Sequence, residues 1–177
     1  ENVKLHLSQL YSRGMLNPTM EEDYWEFSHP LIELIVYNSL LRAQRRILHQ
    51  RTAIALEKQW QNTEDEHAED LAYHFRKAEI YDRALHFLIL AGERSAARHA
   101  NDAAVSFFEQ AAELMSTVSE VSDDDRWRII HQMGEVYQFI GKYETSLAVL
   151  QSGLDLLQRT HLSPSQRAGI YRRMGDT

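Results

Sequence analysis

The sequence predicts an all-α fold: antiparallel helical hairpins forming a short superhelical array, with one small β-hairpin near the N-terminus. Three observations predict it. Apolar residues recur at steps of three and four through most of the 177 residues, the spacing that lines one face of a helix. Glycine and proline, which interrupt helices, number only 7 and 3. The 34-residue stretch Trp127 to Thr160 divides at Gly141 into two amphipathic halves, each long enough for a helix.

Taken in order, residues 2–13 place Val3, Leu7 and Leu10 on one face, with Gly14 as a helix-ending residue. Met15–Leu16 and Tyr24–Phe27 are short β-prone runs, with Asn17-Pro18 and Glu21, Glu22 and Asp23 as the turn between them. Ser28-His29-Pro30 opens the next helix, since proline is tolerated in a first turn. Leu31, Leu34, Ile35 and Leu41, widened by Ile32 and Val36, form an apolar surface so broad that burial on more than one side is expected. A break near Ser39–Arg42 precedes a helix over about 42–60, which carries a basic stripe of Arg42, Arg45, Arg46 and Arg51.

Thr63 and Glu66 have the spacing of a capping box, in which a hydroxyl and a carboxylate satisfy each other's backbone donors. The helix that follows, through Ala78, offers Leu71, Ala72 and Phe75; its partner, from Tyr81, offers Ala84 and Leu88. On spacing, Tyr81, Ala84 and Leu88 correspond to Tyr143, Ser146 and Leu150 of the later pair. The partner helix continues to about Ala100, and Asn101 is the expected N-cap of the next, whose face includes Ala104, Phe107, Phe108 and Ala111. After a polar linker, Ser122 is the expected N-cap of the Trp127 helix, with Asp123, Asp124 and Asp125 in a first turn that favours negative charge. In that helix Ile130, Met133, Gly134 and Tyr137 share a face. Gly134 leaves room for a close crossing, and Ser146 and Gly153 are small on the facing helix. Ser163-Pro164 opens a last helix, 164–177, whose apolar face has no second helix in this sequence and is a candidate self-association surface. A chain that starts on Glu1 and stops within a helical pattern reads as part of a longer protein.

The pair from Trp127 to Thr160 resembles a tetratricopeptide (TPR) repeat through Gly134, Tyr137, Gly141 and Tyr143, with Leu150 where that family usually has an aromatic. It departs from the pattern at Ile130, Ser146, Gly153 and Gln158, where Trp, an Ala pair and Pro are usual. Such units stack because none buries its own apolar face alone. A second resemblance, over roughly 24–115, is to the STAND class of signalling ATPases found with adenylate/guanylate cyclase domains or in large bacterial transcription regulators. It rests on Phe27, His29, Leu31, Ile32, Tyr37, Leu40, Arg45, Arg46, His49, Ala53, Leu56 and Glu57. It implies that residues 1–60 end a winged-helix region and that 61–177 are TPR-like repeats, the last truncated.

Composition narrows the chemistry. Residues 1–60 hold seven basic and seven acidic groups, 61–125 five and fifteen, and 126–177 seven and four. An acidic middle argues against broad nucleic-acid binding, which needs a basic face. The absence of cysteine rules out disulfides and Cys-based zinc sites and fits a cytoplasmic protein. No apolar run approaches the ~20 residues that span a bilayer. No phosphate-binding GxxxxGK[ST] and no GxSxG occurs. His67, Asp70 and His74 fall on one helical face, a weak metal pattern without orienting partners. No catalytic residue, metal or cofactor is therefore expected. The expected function is contact with a protein partner, or with other domains of the same parent chain, through a groove lined by first helices. His67, His74, Gln132, Glu135, Gln138 and Phe139 are the candidate groove positions.

Overall fold

The computed structural model describes residues 2–20, 24–157 and 164–175. Two compact units divide between Arg46 and Ile47, inside a helix rather than after it. The architecture is all-α with a small antiparallel β-hairpin near the N-terminus, as the periodicity predicts.

The first unit holds α1 (Asn2–Ser12), β1 (Leu16–Pro18), β2 (Trp25–Phe27), α2 (Pro30–Ser39) and the first turn of α3 (Arg42–Gln59). β1 and β2 pair antiparallel, Leu16 opposite Phe27 and Pro18 opposite Trp25. Asn17 and Pro18 thus lie in the strand rather than in the turn. Pro18 is tolerated there because β1 is an edge strand of a two-stranded sheet. The acidic tip Glu21, Glu22 and Asp23 lies outside the described residues. His29 caps α2, its ring Nδ1 accepting from the Leu31 N–H at 3.1 Å. The two-sided burial expected of α2 is not found: Leu31, Leu34 and Ile35 are 55%, 55% and 60% exposed. Amphipathic breadth signals burial only where a partner element covers it, and no described element of the first unit does.

The second unit continues α3 and adds α4 (Ala68–Lys77, after a 3-10 turn at Glu64–His67), α5 (Tyr81–Ala97), α6 (Asn101–Met115), α7 (Asp123–Phe139), α8 (Tyr143–Leu157) and α9 (Pro164–Gly175). Consecutive helices from α4 to α9 pack on one another, and α7 also touches α5 and α9. Three-residue turns at 78–80, 98–100 and 140–142 reverse the chain between α4 and α5, α5 and α6, and α7 and α8.

All three turns use one device. The residue after the cap takes a left-handed φ, 60° at Glu79, 59° at His99 and 77° at Gly141. Its N–H returns to the carbonyl three residues back, and the next N–H to the one five back. Ile80 N reaches Phe75 O at 3.0 Å, Ala100 N reaches Ser95 O at 2.9 Å, and Lys142 N reaches Tyr137 O at 2.8 Å. These paired bonds satisfy helix carbonyls that otherwise lack donors. Gly14 ends α1 the same way, with φ 69°.

Two expected caps are differently made. Ala100, not Asn101, is the N-cap of α6, with no side-chain bond, because Asn101 already has helical geometry. Thr63 caps only the 3-10 turn, and its hydroxyl donates backward to Trp60 O at 3.1 Å instead of accepting from the turn. Ser122 does cap α7, accepting from the Asp125 N–H at 3.1 Å.

The core explains the helix pairing. Phe75 of α4 stacks on Phe87 of α5, ring centroids 5.6 Å apart. α7 is buried on two sides: Ile129, Met133, Val136 and Tyr137 join the cluster built by α4, α5 and α6, while Ile130 meets Leu150 of α8. Two crossings are so close that only glycine fits. A Cβ on Gly92 would lie 2.6 Å from the Phe108 ring, and one on Gly134 2.8 Å from Leu150. A Cβ on Gly153 would likewise lie 2.4 Å from the Ile130 side chain.

These positions reveal the true register. Gly92 and Gly134, Leu88 and Ile130, Ala104 and Ser146, Phe108 and Leu150, and Ala111 and Gly153 all stand 42 residues apart. The α5–α6 pair therefore corresponds to α7–α8. The sequence match of Tyr81, Ala84 and Leu88 with Tyr143, Ser146 and Leu150 is replaced, because Tyr81 opens a first helix of a pair and Tyr143 a second.

Candidate functional site

The residues singled out for packing divide cleanly. Leu71, Ala72, Phe75, Ala84, Leu88, Ile130, Met133, Tyr137, Ser146 and Leu150 are buried. Ser146, at 0% exposure, spends its hydroxyl on Gly134 O at 2.8 Å, so a polar side chain sits in the seam without an orphaned group. Tyr137 donates to Glu109 Oε1 at 2.7 Å. Burial, the hydrogen bond to Glu109 and its charge push the phenol up to about 12. Tyr81 is half-buried, whereas Gly141 and Tyr143 are exposed.

The six groove positions are not brought to one place. His67 stacks on Trp60 at 3.9 Å and 13°. His74 meets His49 of α3. Gln132 is half-buried on α7. Phe139, 67% exposed, stacks on His99 at the end of α5. Glu135 and Gln138 turn toward α9: Glu135 Oε1 is 3.0 Å from Arg173 Nη2, and Gln138 Nε2 donates to Arg173 O at 2.8 Å. Among the described residues no three metal-ligating side chains converge.

A line of charge along α5, α7 and α9 takes the groove's place as the most organised polar feature. Arg128 of α7 grips Glu93 of α5 with two parallel bonds, Nε to Oε1 at 2.9 Å and Nη2 to Oε2 at 2.7 Å, and also reaches Asp125 at 3.4 Å. Two-pronged guanidinium–carboxylate contacts are the strong, geometrically specific kind. The hydrogen bond to Glu93 is the main cause that raises the Arg128 pKa, against burial. One step on, Glu135 of α7 pairs with Arg173 of α9. Glu93 and Glu135 are again 42 residues apart. Arg173 Nε also donates to His131 Nε2 at 2.9 Å, and His131 stacks on Trp127 at 4.7 Å. Burial first, then Arg173, pushes the His131 pKa down; burial first, then Arg83, does so for His86 of α5. Both rings are thereby favoured in the neutral form. Sequence reasoning missed Glu93, Arg128, His131 and Arg173; the 42-residue spacing of Glu93 and Glu135 is the signal that finds them.

No family model matches the chain. No solved structure matches it either. It is 34% identical over 99 residues to uncharacterized protein R02095 of Rhizobium meliloti (strain 1021), an alignment covering 53% of this chain. The match takes up 9% of that protein's length.

Proposed function

We propose that the chain is a non-catalytic segment of TPR-like helical repeats that makes protein contacts and regulates a larger cytoplasmic signalling ATPase of the STAND class, cyclase-linked or of the transcription-regulator type. The observation that carries this reading is the repeated seam: two helix pairs with the same close crossings, 42 residues apart, and a charge link joining their first helices. Stacked pairs of this kind present a continuous surface whose curvature changes by small rotations at each seam. A partner that prefers one curvature would shift the parent between resting and active states. The Rhizobium relative supports a place within a long chain, since the aligned stretch is a small fraction of it. Among the described residues no helix is long and apolar enough to cross a membrane.

The test uses the longer protein that carries this segment. Arg128→Glu, which sets like charge against Glu93, is expected to change its basal nucleotide turnover, and Glu93→Arg in the same chain to bring it back. The 177-residue chain alone is expected to hydrolyse no ATP and to make no cyclic nucleotide. Turnover by the clean chain that disappears on His74→Ala would overturn the reading. One observation favours a second reading of the first unit: α1 followed by an antiparallel hairpin is how a winged helix ends. Salt-dependent duplex binding in a gel-shift titration would support that nucleic-acid reading, and no binding at low salt would dismiss it.

A further inference from the structure

We propose that His49 and His74 form a pH-sensitive latch that holds α3 against the helical-repeat unit. The inference stands apart from the proposed function and rests on the geometry of one contact. His49 is the first buried residue of α3 and only 8% exposed. It heads a stripe that continues through Ala53, Leu56 and Trp60, all packed into the core of the second unit. His74 lies half-buried on α4, and the two Nδ1 atoms are 3.1 Å apart. Tyr73 packs edge-on against both rings, at 5.6 and 5.2 Å.

Proton counting makes this contact conditional. A neutral imidazole carries one N–H, so one ring must present Nδ1–H and the other a bare Nδ1. A first added proton is tolerated: it settles on the remote Nε2 of the donor ring and leaves an N–H···N bond with one positive charge. A second proton has to occupy the accepting Nδ1. That sets two N–H donors and two positive charges against each other, and the rings must part. Two groups so coupled titrate as a pair, in two separated steps.

The surroundings push the same way. Burial is the larger influence on His74 and lowers its pKa; Asp70, one turn earlier on α4, raises it by less. Lys77 Nζ sits 5.6 Å over the Tyr73 ring. On α3, Arg45 and Arg46 precede His49 by four and three residues. α5 contributes Arg83, which is held by Glu57 of α3. A histidine whose folded-state pKa is depressed gives stability that is complete above the ordinary value of about 6.5 and is lost as pH falls below it. Acidification therefore releases the start of the stripe first, where α3 enters the second unit.

Amide hydrogen exchange on the chain at about pH 7.5 and about pH 5.5 tests the latch, with rates corrected for intrinsic exchange. The range spans the ordinary histidine titration. Amides of residues 47–53 are expected to lose protection several-fold more than those of α5 and α7. His74→Gln keeps a hydrogen-bonding partner for His49 without the titration, and is expected to abolish that difference. His131→Gln removes another depressed histidine and is expected to leave the α3 response in place. Equal protection of 47–53 at both pH values, or an unchanged response in His74→Gln, overturns the proposal. Should His74→Gln fold poorly, the wild-type carbon-bound imidazole protons give the second readout. Two separated steps support coupling, and independent titration of both rings at the ordinary histidine value overturns it.

Discussion

Gly92→Ala puts a methyl group where the α5–α6 crossing has no space. The new Cβ would lie 2.6, 2.8 and 2.9 Å from three atoms of the Phe108 ring. That ring is 0% exposed, so it has nowhere to swing. Either the helices separate or Phe108 leaves its preferred rotamer, and overpacking of this kind costs ~1–3 kcal/mol. Alanine returns up to ~1 kcal/mol of helix propensity over glycine. The net expectation is a loss of about 1–2 kcal/mol, or roughly 2–8 °C in Tm at this chain length. Urea unfolding of the chain followed by far-UV circular dichroism measures it. Gly169→Ala is the control: it too lies inside a helix, but nothing stands within 4 Å of its added Cβ, so only the propensity gain remains. In a Phe108→Ala background the Gly92→Ala cost should largely vanish, a coupling of about 1 kcal/mol or more between contacting residues. A Gly92→Ala chain as stable as wild type, or effects that simply add with Phe108→Ala, would refute the reasoning.

Three further expectations use the same unfolding measurement. Glu79→Gly and His99→Gly should each stabilise by roughly 0.5–1 kcal/mol, since a left-handed φ strains any residue with a side chain. Removing Arg128 should cost on the order of 1 kcal/mol at low salt and less at high salt, because both it and Glu93 are about a quarter exposed; a cost that ignores salt would assign the loss to packing. Stability should decline as pH falls below about 6.5, the unfolded-state value for histidine. His86 and His131 have depressed folded pKa values, so the unfolded chain takes up protons first. The slope should shrink in His131→Gln, and a curve flat from neutral pH to about pH 5 would remove the argument.

Helix existence was legible because the 3.6-residue period of apolar side chains survives in each segment, and the Gly134–Gly141 pair marked one hairpin directly. What escaped has physical causes. The turns after α4 and α5 were placed by the change of face, but their left-handed residues, Glu79 and His99, were not, because neither is the glycine that usually marks that geometry. The register between pairs was hidden by the seven-residue connection 116–122, which stretches a 34-residue unit to 42 and lets a second helix be matched to a first. The stripe Glu135, Gln138 and the histidines His67 and His74 could be placed on helical faces from spacing alone. Which neighbour each face meets depends on packing between helices 25 to 42 residues apart in the chain, and no local pattern encodes that.

The two carboxylate–guanidinium links run in one sense: acid on the earlier helix, arginine on the later. A row joined this way has a head and a tail. The residue 42 before Arg128 is His86, so α5 brings the acid of this pattern without the arginine, whereas α7 brings both. From α5 through α7 to α9, each link therefore points the same way, and α7 is the helix that answers to a neighbour on either side.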